Sequence, residues 1–164
     1  MFDAVPRPDY NAGRVDLSQI AGLSGRAYLQ ELMDGNLPAP SMGLTMNAWL
    51  HRLDEGEAEF RGEPGAGHLN PLGLVHGGWA MSLLDSALGC AVHTTCAPGE
   101  GFVSMDTSVK FIRPLLPDMG QLRCVATVQS RGRTIANVSG QIEDQKGKLL
   151  ALGTSTCFIQ KLPG

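Results

Sequence analysis

Apolar residues along the first third of the chain follow two different rhythms. From Asp16 onward, Leu17, Ile20, Ala21 and Leu23, then Ala27, Leu29, Leu32 and Met33, recur at mostly helical spacing, with Gly22 and Gly25 interrupting the stripe. The spacing predicts one broken helix. Asn36, Pro38 and Pro40 end it, because proline lacks an amide donor and restricts the residue before it. The residues ahead of Asp16 keep no period and read as a loose lead-in. From Leu44 to Leu53 the rhythm shortens to two, with Met46, Ala48 and Leu50 opposed to Thr45, Asn47 and Trp49. Asp54-Glu55-Gly56 then supplies a turn before Ala58 to Arg61, so this stretch predicts a hairpin.

Between Gly62 and Gly78 stand six glycines and two prolines, too many for a regular element, and a shaped loop is expected there. Trp79 to Val92 has no proline, good helix formers and apolar residues on all but one narrow side, which predicts a buried helix. Four β-rich segments follow, roughly Phe102 to Ile112, Gly120 to Ser130, Thr134 to Glu143 and Leu149 to Ile159, separated by turn-forming stretches. A strand pair, one central helix and a four-strand meander make an α+β arrangement in which an antiparallel sheet wraps on a helix. There is no internal repeat and no low-complexity tract.

Composition narrows the picture. At 164 residues, 43% hydrophobic and 18% charged, the chain suits one packed core and neither disorder nor a coiled coil. A net charge of −3 gives no global positive field to attract a phosphate backbone, so nucleic acid is not an expected partner. No apolar run is long enough to span a membrane. Cys90, Cys96, Cys124 and Cys157 show neither CxxC pairing nor zinc spacing and read as small buried side chains. With no secretory signal pattern at the N-terminus, the expected address is cytoplasmic.

The most informative segment is His68-Leu69-Asn70-Pro71-Leu72-Gly73-Leu74-Val75-His76-Gly77-Gly78, which opens directly into the helix. The first amides of a helix have no internal partner and sit at the positive end of its dipole, so glycines there let an oxygen bearing partial negative charge come close. That is an oxyanion hole in prospect. Asp85 lies eight residues after Gly77 among Leu83, Leu84, Ala87 and Leu88. A lone carboxylate buried there would be costly, and it either finds a hydrogen-bond partner or serves chemistry. At 1.5 Å per residue, Gly77 and Asp85 stand about 12 Å apart along the axis, too far to embrace one carbonyl carbon. Two such helices antiparallel across a two-fold axis would set each Asp85 beside the other chain's Gly77.

Asn70, Gly73, His76-Gly77-Gly78 and Asp85, followed by Val103-Ser104-Met105-Asp106 and Arg113-Pro114, resemble the PaaI-like (phenylacetate-catabolism) branch of the hotdog-fold acyl-CoA thioesterases. The resemblance covers about Met42 to Ile159, dividing the chain into a lead-in with a broken helix, residues 1–41, and a hotdog domain, residues 42–164. It implies that the Gly77 amide polarises a thioester carbonyl while Asp85 acts as nucleophile or as base toward water. Asn70 would position the water or the thioester, His76 would support the loop or the carbonyl, and Ser104 falls where relatives hold the attacking water. Acyl-CoA is the implied substrate and a homodimer or homotetramer the implied assembly. No metal and no cofactor is implied, coenzyme A being part of the substrate.

Each residue also has a plainer reading. His76 can be a loop histidine satisfied by backbone, Asn70 before Pro71 a turn former, and Ser104 a structural strand serine. Gly78, beside Gly77, and the guanidinium groups of Arg113, Arg131 and Arg133 are candidates for binding substrate, the arginines through the phosphates of coenzyme A; the alternative is a solvated charged surface, as for Lys110. Leu72, Leu74, Trp79 and Met81 are candidates to line an acyl pocket or simply to fill the core. His51, His68 and His93 show no metal spacing. Two other functions compete with hydrolysis: a non-catalytic acyl-CoA sensor, for which residues 17–33 offer only Arg26 as a positive charge, and a hotdog hydratase, which would want an Asp and His dyad in a different loop.

Overall fold

The computed structural model describes residues 1–9 and 11–162; Tyr10 of the lead-in and the last two residues of the expected 42–164 domain lie outside that range. The predicted broken helix forms as two, α1 (Leu17–Ile20) and α2 (Gly25–Met33). Ser24 caps the second by accepting from the Ala27 amide at 3.2 Å. The alternation beginning at Leu44 is misleading: Ser41–Met46 is a third helix, α3, and the strand β1 starts only at Ala48 and runs to Asp54. Asn47 makes the switch in a left-handed conformation (φ 48°), a state asparagine tolerates, and its side chain donates to the Glu63 carbonyl at 2.7 Å. Strand β2 (Glu57–Gly62) completes the predicted hairpin across a turn in which Gly56 takes φ 72°.

Helix α4 spans Gly77–His93 and is followed by β3 (Glu100–Phe111), β4 (Leu122–Arg131), β5 (Ile135–Glu143) and β6 (Leu149–Lys161), each within two residues of its expected bounds. The six strands form one antiparallel sheet in the order β1-β2-β4-β5-β6-β3. The last four strands are therefore not a simple meander. The connection through Pro114 and Pro117 carries the chain from β3, at one edge, to β4 beside β2, where no tight hairpin turn is possible. Helix α4 lies across the concave face, burying Ala80, Leu84, Ala87 and Leu88 against inward residues such as Leu122, Cys124 and Ile142. All four cysteines are free thiols, three of them buried. Among the described residues no helix is long and apolar enough to cross a membrane.

The lead-in is tied down. The Val5 amide donates to Gln121 at 3.0 Å and Gln121 donates back to the Val5 carbonyl at 2.9 Å. Phe2 lies against the Arg61 guanidinium, 4.3 Å from the ring centre. Beneath it, on the convex face of the sheet, Glu59 and Arg61 are buried as an ion pair at 2.7 Å, and Arg123 reaches Glu59 at 3.1 Å. Burial pushes the Glu59 carboxyl up, but Arg123 and Arg61 outweigh it and hold the group below the usual glutamate range.

Candidate active site

The glycine-rich loop is wound around its own side chains. Asn70 accepts through Oδ1 from the amides of Leu72 (2.9 Å) and Leu74 (3.1 Å), and Gly73 turns the chain with φ 78°. His68 accepts from the Gly65 amide through Nδ1 and hydrogen-bonds the Thr45 carbonyl through Nε2 at 2.7 Å, a staple between loop and α3. His76 is the N-cap of α4: its Nδ1 accepts from Gly78 N–H at 2.9 Å and its carbonyl accepts from Trp79 N–H at 2.9 Å. Of the opening amides, Gly78 and Trp79 are thus engaged. Gly77 N–H has no protein partner among the described residues. A Cβ at Gly77 would come to 3.0 Å from the tip of the Phe111 ring, so a side chain here would have to push that ring aside. Gly77, Phe111 and Arg113 line one surface hollow.

Asp85 is not buried in the protomer: with Met81 it forms the exposed edge of α4, flanked by half-buried Ser82 and Ser86. The helix has the predicted narrow polar side, and the carboxylate stands on it. Its Oδ1 accepts from Thr107 Oγ1 at 2.9 Å. Thr107 has no signal in the sequence, because simple alternation from Phe102 and Ser104 would send Asp106 and Ser108 inward. A bulge between Ser104 and Asp106 changes the count, and the inward row becomes Phe102, Ser104, Thr107, Val109 and Phe111, facing Ile159, Cys157, Ser155, Gly153 and Ala151 of β6. Ser104 therefore shares the helix-facing side with Thr107.

The arginines separate. Arg113 donates to the Leu149 carbonyl at 2.6 Å on the Gly77 side. Arg131 is held by Glu100 at 3.4 Å and by Thr95 at 3.1 Å, past the C-terminal end of α4 and about 24 Å along the helix from Gly77. Arg133, exposed in the adjacent turn, lies at that same far end. The protomer does not bring Arg131 or Arg133 together with Gly77.

Beside Asp85 opens an apolar cavity of about 300 Å³, reaching between α4, the strands and the two helices α2 and α3. None of Leu72, Leu74, Trp79 and Met81 lines it. Leu72 is 86% exposed, and the Trp79 indole is core, donating to the Met46 carbonyl at 2.8 Å. Leu29, Leu32, Leu50 and Leu83 do line it, and its far end is closed by a row of rings, Tyr28 to His93 at 5.3 Å and His93 to Phe102 at 5.5 Å. Burial pulls the His93 imidazole down to about 4 and pushes the Cys90 thiol, on the same wall, up to about 12, with the Asp85 charge adding to the latter. No group of three or more His, Cys, Asp or Glu side chains suited to a metal ion occurs among the described residues.

A six-stranded antiparallel sheet wrapped around one long central helix is the hotdog fold. Residues 72–151 match the family described as the thioesterase superfamily. The chain is similar to a phenylacetic acid degradation-related protein of Ralstonia eutropha JMP134, 31% identical over 80% of this chain and 98% of that one, with a TM-score of 0.73. A single-residue variant of the phenylacetic acid degradation protein PaaI of Thermus thermophilus is 29% identical over 72% of this chain and 97% of that one, TM-score 0.66. The PaaI protein of the phenylacetic acid degradation operon of E. coli, 24% identical over 91% and 98%, TM-score 0.70, shares the fold. No curated protein matches the sequence. The chain belongs to the PaaI-like thioesterases of the hotdog fold, and its reaction class is thioester hydrolysis.

Proposed function

We propose that the protein hydrolyses acyl-CoA thioesters as a homodimer or a dimer of dimers, each site taking the Gly77 amide from one protomer and Asp85 of the partner subunit. The observation that carries this reading is the unpartnered Gly77 amide at the start of α4, two turns from an exposed carboxylate on the same helix. The separation of about 12 Å keeps the two from serving one carbonyl within a protomer. Support for pairing comes from β3, a twelve-residue strand at the sheet edge that leaves Val103, Met105 and Phe111 exposed. Such an edge is a template for a second chain, and two-fold pairing there would run the two α4 helices antiparallel.

In the proposed reaction the thioester oxygen accepts from Gly77 N–H, which stabilises the charge that grows on it during addition. Asp85 either takes a proton from water as the water adds to the carbonyl carbon or adds its own oxygen to that carbon. Collapse of the adduct breaks the C–S bond, coenzyme A leaves as a thiolate that takes a proton, and the acid is released, directly or after water cleaves the acyl-enzyme. Ser104, on the inward row with Thr107, holds the attacking water in this reading. His76, by capping Gly78, turns the neighbouring Gly77 amide outward, and Asn70 shapes the loop while its Nδ2 stays available to substrate. Arg113, in the hollow beside Gly77, suits the coenzyme A phosphates. The four free thiols fit a reducing, cytoplasmic setting.

Asp85→Asn keeps shape but neither attacks nor takes a proton, and it is expected to lose about a hundredfold or more of turnover with the fold intact. Mixing it with Gly77→Pro tests the shared site. Each homodimer should be inactive, whereas a mass-confirmed heterodimer should recover about half the activity, because one of its sites draws both groups from unaltered positions. A folded heterodimer without activity would place the site within one protomer.

A further inference from the structure

The cavity beside Asp85 is continuous with the surface groove that holds Thr107: Met42, Ser82, Asp85 and Ser86 line both. A carbonyl carbon at Asp85 therefore has the cavity behind it. We propose, resting on the hydrolytic reading above, that the cavity takes the acyl group and selects an apolar chain of about eight to ten carbons, with α2 and α3 as its specificity-determining roof.

Size sets the chain length. An apolar cavity of about 150 Å³ accepts one benzene ring, so about 300 Å³ takes twice that bulk, which is about eight to ten of the larger saturated carbons. Its lining on α4 runs from Ser82 to His93, eleven steps or about 16 Å along the axis, so the space is long as well as large. A single-ring or two-carbon acyl group would leave much of it empty. The walls carry no charge beyond the carboxylate at the mouth, because burial keeps His93 and Cys90 neutral at pH 7. A charged acyl terminus would find no ionic partner at the ring-closed end.

The roof is the segment just ahead of β1. Residues 25–46, which carry α2 and α3, lie before the region that matches the family, residues 72–151. It is clamped at both ends: the Gly25 amide donates to the Cys96 carbonyl at 3.0 Å, and the Met46 and Thr45 carbonyls are held by Trp79 and His68. Between the clamps Met42, 49% exposed on α3, stands free at the mouth.

The test is the specificity constant of the full chain across acetyl-, butyryl-, octanoyl-, decanoyl-, palmitoyl- and phenylacetyl-CoA. Octanoyl- and decanoyl-CoA should exceed acetyl- and phenylacetyl-CoA by about tenfold or more. Cys90→Phe, which fills the middle of the cavity, should cut the octanoyl and decanoyl values about tenfold or more while leaving butyryl-CoA within about threefold. Tyr28→Ala, which opens the far end from the surface side, should move the optimum to longer chains. Calorimetric titration of decanoyl-CoA into Asp85→Asn, with and without Cys90→Phe, reads the cavity without turnover. Should no thioester be cleaved while decanoyl-CoA binds and Cys90→Phe abolishes that binding, the cavity proposal stands and the hydrolytic reading fails. Hydrolysis that favours acetyl- or phenylacetyl-CoA and ignores both substitutions would overturn the proposal and leave hydrolysis standing.

Discussion

Thr107 holds Asp85 by a single hydroxyl, and that bond fixes which way the carboxylate faces. Thr107→Val keeps the branched shape and removes the donor. A hydrogen bond to a charged group at a partly solvated site is worth about 1.4 kcal/mol, so kcat should fall about tenfold with KM little changed. Thr107→Ser should restore most of it, an outcome a purely structural threonine would not give. The same scale shows what sequence could and could not reveal. Gly77, His76 and Asp85 are legible because a helix start and a helix face follow from local rules. Thr107 is not, since its orientation depends on a bulge whose position is set by pairing with Cys157, Ser155 and their neighbours on β6.

The roof element depends on a close approach that only glycine permits. A Cβ at Gly25 would sit 1.9 Å from the His93 carbonyl oxygen, which is backbone and cannot swing away. Gly25→Ala must lift the start of α2 and weaken its bond to Cys96, at a cost of about 2 kcal/mol. For a chain of this size that lowers Tm by about 4–8 °C. Gly22→Ala is the control, because its Cβ meets nothing within 4 Å. Thermal melts of the two variants side by side check the claim: equal melting points would mean that α2 is not docked through this contact.

Across the molecule, the buried charges on the convex face join the lead-in to the sheet. Glu59 faces Arg61 and Arg123, with Arg52 at 3.6 Å, while Arg61 also donates to the Asp3 carbonyl at 3.1 Å. Because the folded carboxyl titrates below its usual 4.5, the folded state binds fewer protons there than the unfolded chain. That contribution is full above pH 4.5 and is lost as the pH falls through the folded value. Glu59→Gln should cost about 3 kcal/mol at pH 7, since it strands a buried guanidinium, and should flatten the loss of stability as the pH falls below 4.5. Urea midpoints measured at pH 7 and at a series of values below 4.5 decide it. A variant with the parent's acid slope would show that Glu59 does not carry the linkage.

What the sequence determined by itself is the set of features governed by neighbours in the chain. The helix from Gly77, the hairpin, the four later strands and the glycine-rich loop all follow from periodicity, capping and turn chemistry, and each is found nearly where expected. Ser41–Met46 escaped because six residues of helix and two turns of alternation look alike until tertiary contacts choose, here Trp79 and His68 seizing the Met46 and Thr45 carbonyls. Only the tertiary structure moved β3 to the sheet edge, turned Thr107 toward Asp85, sent Arg131 to the far end of α4 and enclosed a cavity under the first helices. Those outcomes depend on pairings between residues tens of positions apart, which no local pattern encodes.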